Sequence, residues 1–191
     1  MPAPTRRALT TRLLPAAAAA LAAPTILRPT PAQAATAAEI TAEVNAALVS
    51  LRERAETRNL FAQARATLIF PRIIQGGFVV GGQYGEGAAL RGNTIQGYYN
   101  IAGASFGLLI GAQAAGLAMF FMTDEALGAL MRADGWEIGT GPSVVVLDRG
   151  DQVNFTATTL REPVYAITFN QQGLMASISL NGTKISRINP S

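Results

Sequence analysis

Residues Gly103-Ala104-Ser105-Phe106-Gly107 match the G-x-S-x-G pattern, in which a serine is held exposed on a sharp strand-to-helix turn and attacks an acyl carbon. That reaction needs a base beside the hydroxyl, normally an imidazole, and the 191-residue chain has no His. Lys184, the only lysine, would have to be recruited from near the C-terminus to replace it. The chain also has no Cys, so thiolate nucleophiles, disulfides and Cys/His metal sites are excluded. Asp148, Asp151 and Glu162 could in principle form a carboxylate pair for glycoside hydrolysis or a calcium site, but their setting among turn residues reads as solvated turn carboxylates. Arg149-Gly150-Asp151 is likewise a turn. Gly76-Gly77 and Gly81-Gly82-Gln83-Tyr84-Gly85-Glu86-Gly87 could cradle a phosphate, yet no Lys-Ser/Thr and helix follow them as a nucleotide loop requires. Glycines that let strands approach and bend account for the stretch. The residues therefore point to no catalytic group, no cofactor and no metal.

The elements that would carry these residues follow from periodicity. From Ala37 to about Asn59 the apolar positions Ile40, Val44, Ala47, Leu48, Leu51 and Ala55 recur in steps of three and four, which predicts an amphipathic helix with a core-facing stripe. A short helical stretch from Leu60 to Ala66 leads into the first strand. Beyond Thr67, apolar runs separated by glycine read as strands: Phe78-Val79-Val80, Ala88-Ala89-Leu90, Val144-Val145-Val146 and Val164-Tyr165-Ala166-Ile167. Thr123 is placed to cap a helix whose first turn carries Asp124 and Glu125, whose apolar face is Leu127, Leu130 and Met131, and which Gly135 stops.

Ile101 to Met122 is 22 residues without a formal charge, long enough for a spanning helix. Gln113 and the glycines at 103, 107, 111 and 116 favour two strands instead, turning within Ala112 to Gly116. From Gly141 to Ile188 the pattern predicts hairpins with turns at Arg149-Gly150-Asp151, Asn170 to Gly173 and Asn181-Gly182. The fold class is α+β: a mainly antiparallel, Gly-rich β-sheet or partly closed barrel, with an N-terminal amphipathic helix and one inserted helix.

Positions 1–34 hold Arg6, Arg7, Arg12 and Arg28 and no acid, so the net positive charge of the chain comes from this segment, and the rest carries 11 basic against 12 acidic residues. Its basic stretch, apolar run from Leu13 to Ala23 and terminal Ala32-Gln33-Ala34 form a secretory signal layout with cleavage expected after Ala34. The apolar run is too short for a permanent anchor, and Thr5-Arg6-Arg7-Ala8-Leu9 is similar to a bacterial twin-arginine signal. The expected organisation is a signal peptide at 1–34 and one domain at 35–191, exported to the periplasm or secreted. With 14% charged residues and no basic stripe, nucleic acid is excluded as a partner.

Residues Ala64 to Gly87, and within them Ile74-Gln75-Gly76-Gly77-Phe78-Val79-Val80-Gly81-Gly82-Gln83-Tyr84-Gly85-Glu86-Gly87, resemble the signature of the SYLF domain family. The resemblance continues through Ala104 to Gln113, through Met119 to Met122 with Glu125-Ala126-Leu127, and through Gln172 to Gly182. It implies a single α+β domain that binds lipid membranes without turnover, and in eukaryotic relatives phosphoinositides and actin. An exported bacterial member would not meet actin, so that activity is not carried over. Many relatives carry Lys where this chain has Gln75, and basic residues where it has Asn170-Gln171-Gln172, which reduces the charge available to phosphates. Arg72 and Arg91, flanking the Gly-rich strands, are the candidate headgroup contacts, with Tyr84 as an interfacial aromatic. The function expected is an exported lipid- or membrane-associating domain. The alternatives are a periplasmic structural or protein-interaction module and a carboxylate-dependent hydrolase.

Overall fold

A computed structural model describes residues 35–77, 80–106, 113–132, 135–147, 160–172, 180 and 182–191. The first helix, α1 (Ala37–Glu53), starts where a capping box forms: Glu39 N donates to Thr36 Oγ1 at 3.3 Å, and Thr36 N donates to Glu39 Oε2 at 2.8 Å. Hydrogen bonds from Thr36, backbone first, hold the exposed Glu39 carboxyl below its ordinary pKa. The helix ends at Glu53, six residues earlier than the periodicity predicts, because the buried Thr57 hydroxyl donates to the carbonyls of Leu51 and Arg54 and so satisfies the terminal acceptors. A 3₁₀ turn (Ala55–Thr57) and a second helix, α2 (Arg58–Gln63), follow, so the second helical stretch ends before the expected Ala66, which opens the first strand.

The strands are β1 (Ala66–Gly77), β2 (Val80–Arg91), β3 (Thr94–Phe106), β4 (Gln113–Phe121), β5 (Trp136–Glu137), β6 (Val144–Leu147), β7 (Val164–Gln172) and β8 (Thr183–Ile188). Among the described residues they form one sheet in the order β5-β8-β3-β2-β1-β4-β7-β6, antiparallel except for β6 and β7. The sheet curves as a half-barrel, so the α+β class and the antiparallel, partly closed architecture hold. A third helix, α3 (Asp124–Leu130), is capped by Thr123 Oγ1, which accepts from Ala126 N at 3.2 Å. It ends at Leu130, ahead of Gly135.

Each face of the sheet buries its own apolar cluster. Inward, Leu68, Phe70, Ile73, Met119 and Phe121 pack with Leu127 and Leu130 of α3. Outward, Ile69, Ala88, Leu90 and Phe120 pack with Ile40, Val44 and Leu51 of α1. Burial on both faces explains why β1 and β4 read as continuous apolar runs.

In the middle of β1 the alternation slips. Against β2 the register jumps from Ile69↔Ala88 to Arg72↔Glu86, and against β4 from Phe70↔Leu117 to Ile73↔Ala115. Pro71 and Arg72 thus form a bulge, which suits a proline that cannot donate to a ladder. Both neighbouring strands place a glycine opposite it. A Cβ on Gly87 would lie 2.1 Å from Ile69 O, and one on Gly116 would lie 2.5 Å from the Phe169 ring.

Four expectations are corrected. The turn placed within Ala112 to Gly116 is not there: Gln113 to Gly116 belong to β4, where Gln113 pairs with Gln75. Asn170 is not a turn residue but lies inside β7 with φ 48°, a local twist that an asparagine tolerates. Among the described residues the C-terminal strands do not pair with their neighbours as hairpins: β6 and β7 are parallel, while β7 pairs with β4 and β8 with β3. β7 and β8, consecutive among the described strands, therefore lie on opposite sides of β1. The fourth concerns the ends of the two N-terminal helices, α1 and α2, given above. Phe78-Val79 and the turn at Arg149-Gly150-Asp151 lie outside the described residues.

Gly87→Ala should lower stability by about 2 kcal/mol or more in urea denaturation, because the new methyl meets a carbonyl that the ladder fixes. Gly76→Ala, where nothing lies within 4 Å, should change it by no more than about 0.5 kcal/mol.

Candidate functional site

The helix α1 covers only part of the sheet's outer face. Its apolar stripe meets Ile69, Ala88, Leu90 and Phe120, whereas further along the same strands Ile74 is 49% exposed and Tyr84 is 48% exposed. These two are register partners on β1 and β2 and so point to the same side. The row continues through Ala114 on β4, paired with Ile74, through Ala102 on β3, paired with Tyr84, and through Lys184 on β8, paired with Ala102. Lys184 is exposed and stands in register with Glu137 of β5.

The bulge determines which residues reach this face. An unbroken alternation from Phe70 would send Arg72 and Ile74 into the core and leave Ile73 and Gln75 outside. Instead Ile73 and Gln75 are buried, and Arg72 and Ile74 are exposed. Arg72 borders two adjoining cavities, both lined by Pro71 and Asn170. The larger, about 300 Å³, reaches Glu43 and Ser50 of α1, and the smaller, about 180 Å³, reaches Ala114 and Gln172.

Behind this row, one residue along each strand, lies a band of buried polar side chains, Gln113, Gln75, Gln83 and Thr183, in register across five strands with Gly103 between the last two. Gln75 Nε2 donates to Gln83 Oε1 at 3.0 Å, and Gln83 Nε2 donates to Thr183 Oγ1 at 2.7 Å. The second bond passes over Gly103, where a Cβ would stand 3.0 Å from Thr183 Oγ1 and 3.4 Å from Gln83 Nε2. Gln75 thus faces the interior, and its amide supports the sheet from beneath the exposed row.

Tyr84 donates its hydroxyl to Glu86 Oε1 at 2.6 Å. Partial burial, and after it this bond to Glu86, raises the phenol pKa above its ordinary value. The other Glu86 oxygen accepts from the Ala35 backbone N–H at 3.2 Å.

Of the three residues proposed from sequence, Arg72 and Tyr84 share this face. Arg91 does not join them. It ends β2 beside the Gly92 turn, seven residues from Tyr84 and so about 23 Å away along the strand. Sequence reasoning did not single out Ile74 as part of the site, because its side of the sheet depends on the bulge. It considered Lys184 only as a substitute base. Ser105 lies within β3, backbone-paired with Gly81, and not on a strand-to-helix turn. Glu162 accepts from Ser143 Oγ at 2.7 Å, while Asp148 and Asp151 lie outside the described residues. Among the described residues no group of three or more acidic side chains could hold a metal, and no helix is long and apolar enough to cross a membrane.

Residues 102–189 match the family described as Ysc84, Las17-binding protein actin regulator. This segment is similar to the SYLF (Ysc84) domain family. The SYLF match opens in β3 and closes just past β8, and it includes Lys184 and the Gln113 and Thr183 ends of the polar band. The bulged β1 and Tyr84 precede the matched segment and complete its sheet. No curated protein matches the chain.

Two outcomes follow from this geometry. Thr183→Val, which removes the hydroxyl accepting from Gln83, should cost about 1–3 kcal/mol in denaturant unfolding. Tyr84 should ionise above the usual phenol value of about 10 in an alkaline absorbance titration that uses Tyr84→Phe as the difference reference. Stability should fall as pH rises past that value, because the unfolded chain then releases the proton first.

Proposed function

We propose that this chain is an exported, non-catalytic domain that associates peripherally with a lipid surface through the outer row at Ile74 and Tyr84. The observation that carries this reading is the pair itself: two large side chains, each about half exposed, side by side on strands whose outer face is covered by a helix only at Ile69, Ala88 and Leu90. A tyrosine with an apolar ring and a polar tip suits the headgroup boundary. The family description, a binding protein and actin regulator, supports binding as the general activity. The signal layout of residues 1–34 supports export, which would keep the domain away from actin.

Magnitudes set the expected strength. Completing the burial of two half-exposed side chains contributes about 1 kcal/mol each, and Arg72 near an anionic surface adds about 1 kcal/mol. Lys184 adds little because Glu137 stands opposite it. The sum of about 3 kcal/mol describes weak, reversible contact that a second copy or a second signal would strengthen. Apolar contact outweighs charge, so the association should be only modestly sensitive to salt.

Flotation of the protein from Ala35 onward with phosphatidylglycerol-containing vesicles tests this reading. Ile74→Ser and Tyr84→Ser should each weaken partitioning about five-fold, Arg72→Ala should weaken it less in the presence of salt, and Arg91→Ala should leave it unchanged. No partitioning at any lipid concentration, or equal losses at Arg91 and Tyr84, would reject the assignment of this face.

A further inference from the structure

The Ala35 N–H, donating to Glu86 Oε2 at 3.2 Å, belongs to the residue immediately after the expected cleavage point Ala32-Gln33-Ala34. We infer that Glu86 is the docking carboxylate for the new amino terminus, so that leader removal converts an amide hydrogen bond into an ion pair and fastens the start of α1 to β2. The inference rests on the reading of residues 1–34 as a cleaved leader and goes beyond it by assigning the mature terminus a partner.

The step balances simply. A signal-peptidase-type protease adds one water across the Ala34–Ala35 peptide bond, the C–N bond breaks, and Ala34 departs as a carboxylate. Ala35 keeps the nitrogen, which takes up a proton to become an ammonium group. The donor stays on the same atom while its charge changes from neutral to positive, and hydrogen bonds between ionised partners are about twice as strong as neutral ones.

The local geometry keeps that nitrogen close to Glu86. Ala35 precedes a helix whose first turn is fixed by the reciprocal Thr36–Glu39 bonds, and Ala37 N donates to Ser191 O at 3.3 Å. Glu39 Oε2 is already engaged by the Thr36 N–H and hydroxyl, which leaves Glu86 as the carboxylate that Ala35 N contacts. The second Glu86 oxygen holds the Tyr84 hydroxyl at 2.6 Å. Ala35, Glu86 and Tyr84 form one chain of hydrogen bonds at the border between the sheet area under α1 and the exposed row. The mature terminus therefore fixes the carboxylate that orients Tyr84.

The test is a stability cycle on the polypeptide beginning at Ala35, with its amine free or Nα-acetylated, in the natural sequence and in Glu86→Gln. Acetylation keeps the N–H and removes the charge. It should lower Tm by about 2 °C with Glu86 present, and by less than about 0.5 °C in Glu86→Gln. In Glu39→Gln the acetylation shift should persist. Should Glu86→Gln fail to fold, Glu86→Asp takes its place, and a reduced shift is then expected because its carboxylate is one methylene short. The same shift with and without Glu86 would overturn the ion pair while leaving the leader reading intact. Intact mass of the exported protein should give Ala35 as its first residue, and a different start would overturn the docking role through the leader reading itself.

Discussion

The bulge at Pro71 and Arg72 is the constraint on which the rest of the sheet depends. It inserts one extra residue against both β2 and β4, and on the β2 side Gly87 leaves the room it needs, since a Cβ there would run into Ile69 and Phe70. Past the bulge every β1 side chain changes face. Ile73 and Gln75 enter the interior, while Arg72 and Ile74 emerge beside Tyr84. One backbone irregularity thus separates the strand into a segment that packs under α1 and a segment that presents a surface.

The surface is supported from below in a way an ordinary apolar core would not provide. Gln75, Gln83 and Thr183 are buried, and their side-chain bonds run across the strands, tying β1 to β2 and, over Gly103, to β8. Sheet ends distant from a covering helix lack packing on one face. A hydrogen-bonded band on the other face supplies directional contacts where helix cover is missing. It lies directly behind the exposed row, one residue along each strand.

Much of this was legible in the sequence, and the limits have physical causes. The stripe from Ile40 to Leu51 and the cap at Thr123 depend on local spacing, and both appear in the structure. The Gly-rich stretch was legible as strands because no phosphate-binding residues accompanied it. The far end of α1 was not legible, since Thr57 terminates it through its hydroxyl and not through any break in apolar spacing. Nor was the strand order, because β6 and β7 pair in parallel and β8 crosses to β3, and pairing partners are set by tertiary packing. For the site, Arg72 and Tyr84 could be found by residue type, whereas Ile74 required knowledge of the slip in alternation. Arg91 matched the same residue-type argument as Arg72 but lies at the other end of its strand.

Since the chain has no cysteine, a single reporter can be placed at will. An environment-sensitive fluorophore attached at Ile74→Cys, Tyr84→Cys or Arg91→Cys tests the central claim most directly when the labelled protein is mixed with anionic vesicles. The account predicts a blue shift and increased intensity at positions 74 and 84, with no change at 91. A response at 91 with silence at 74 and 84 would contradict it.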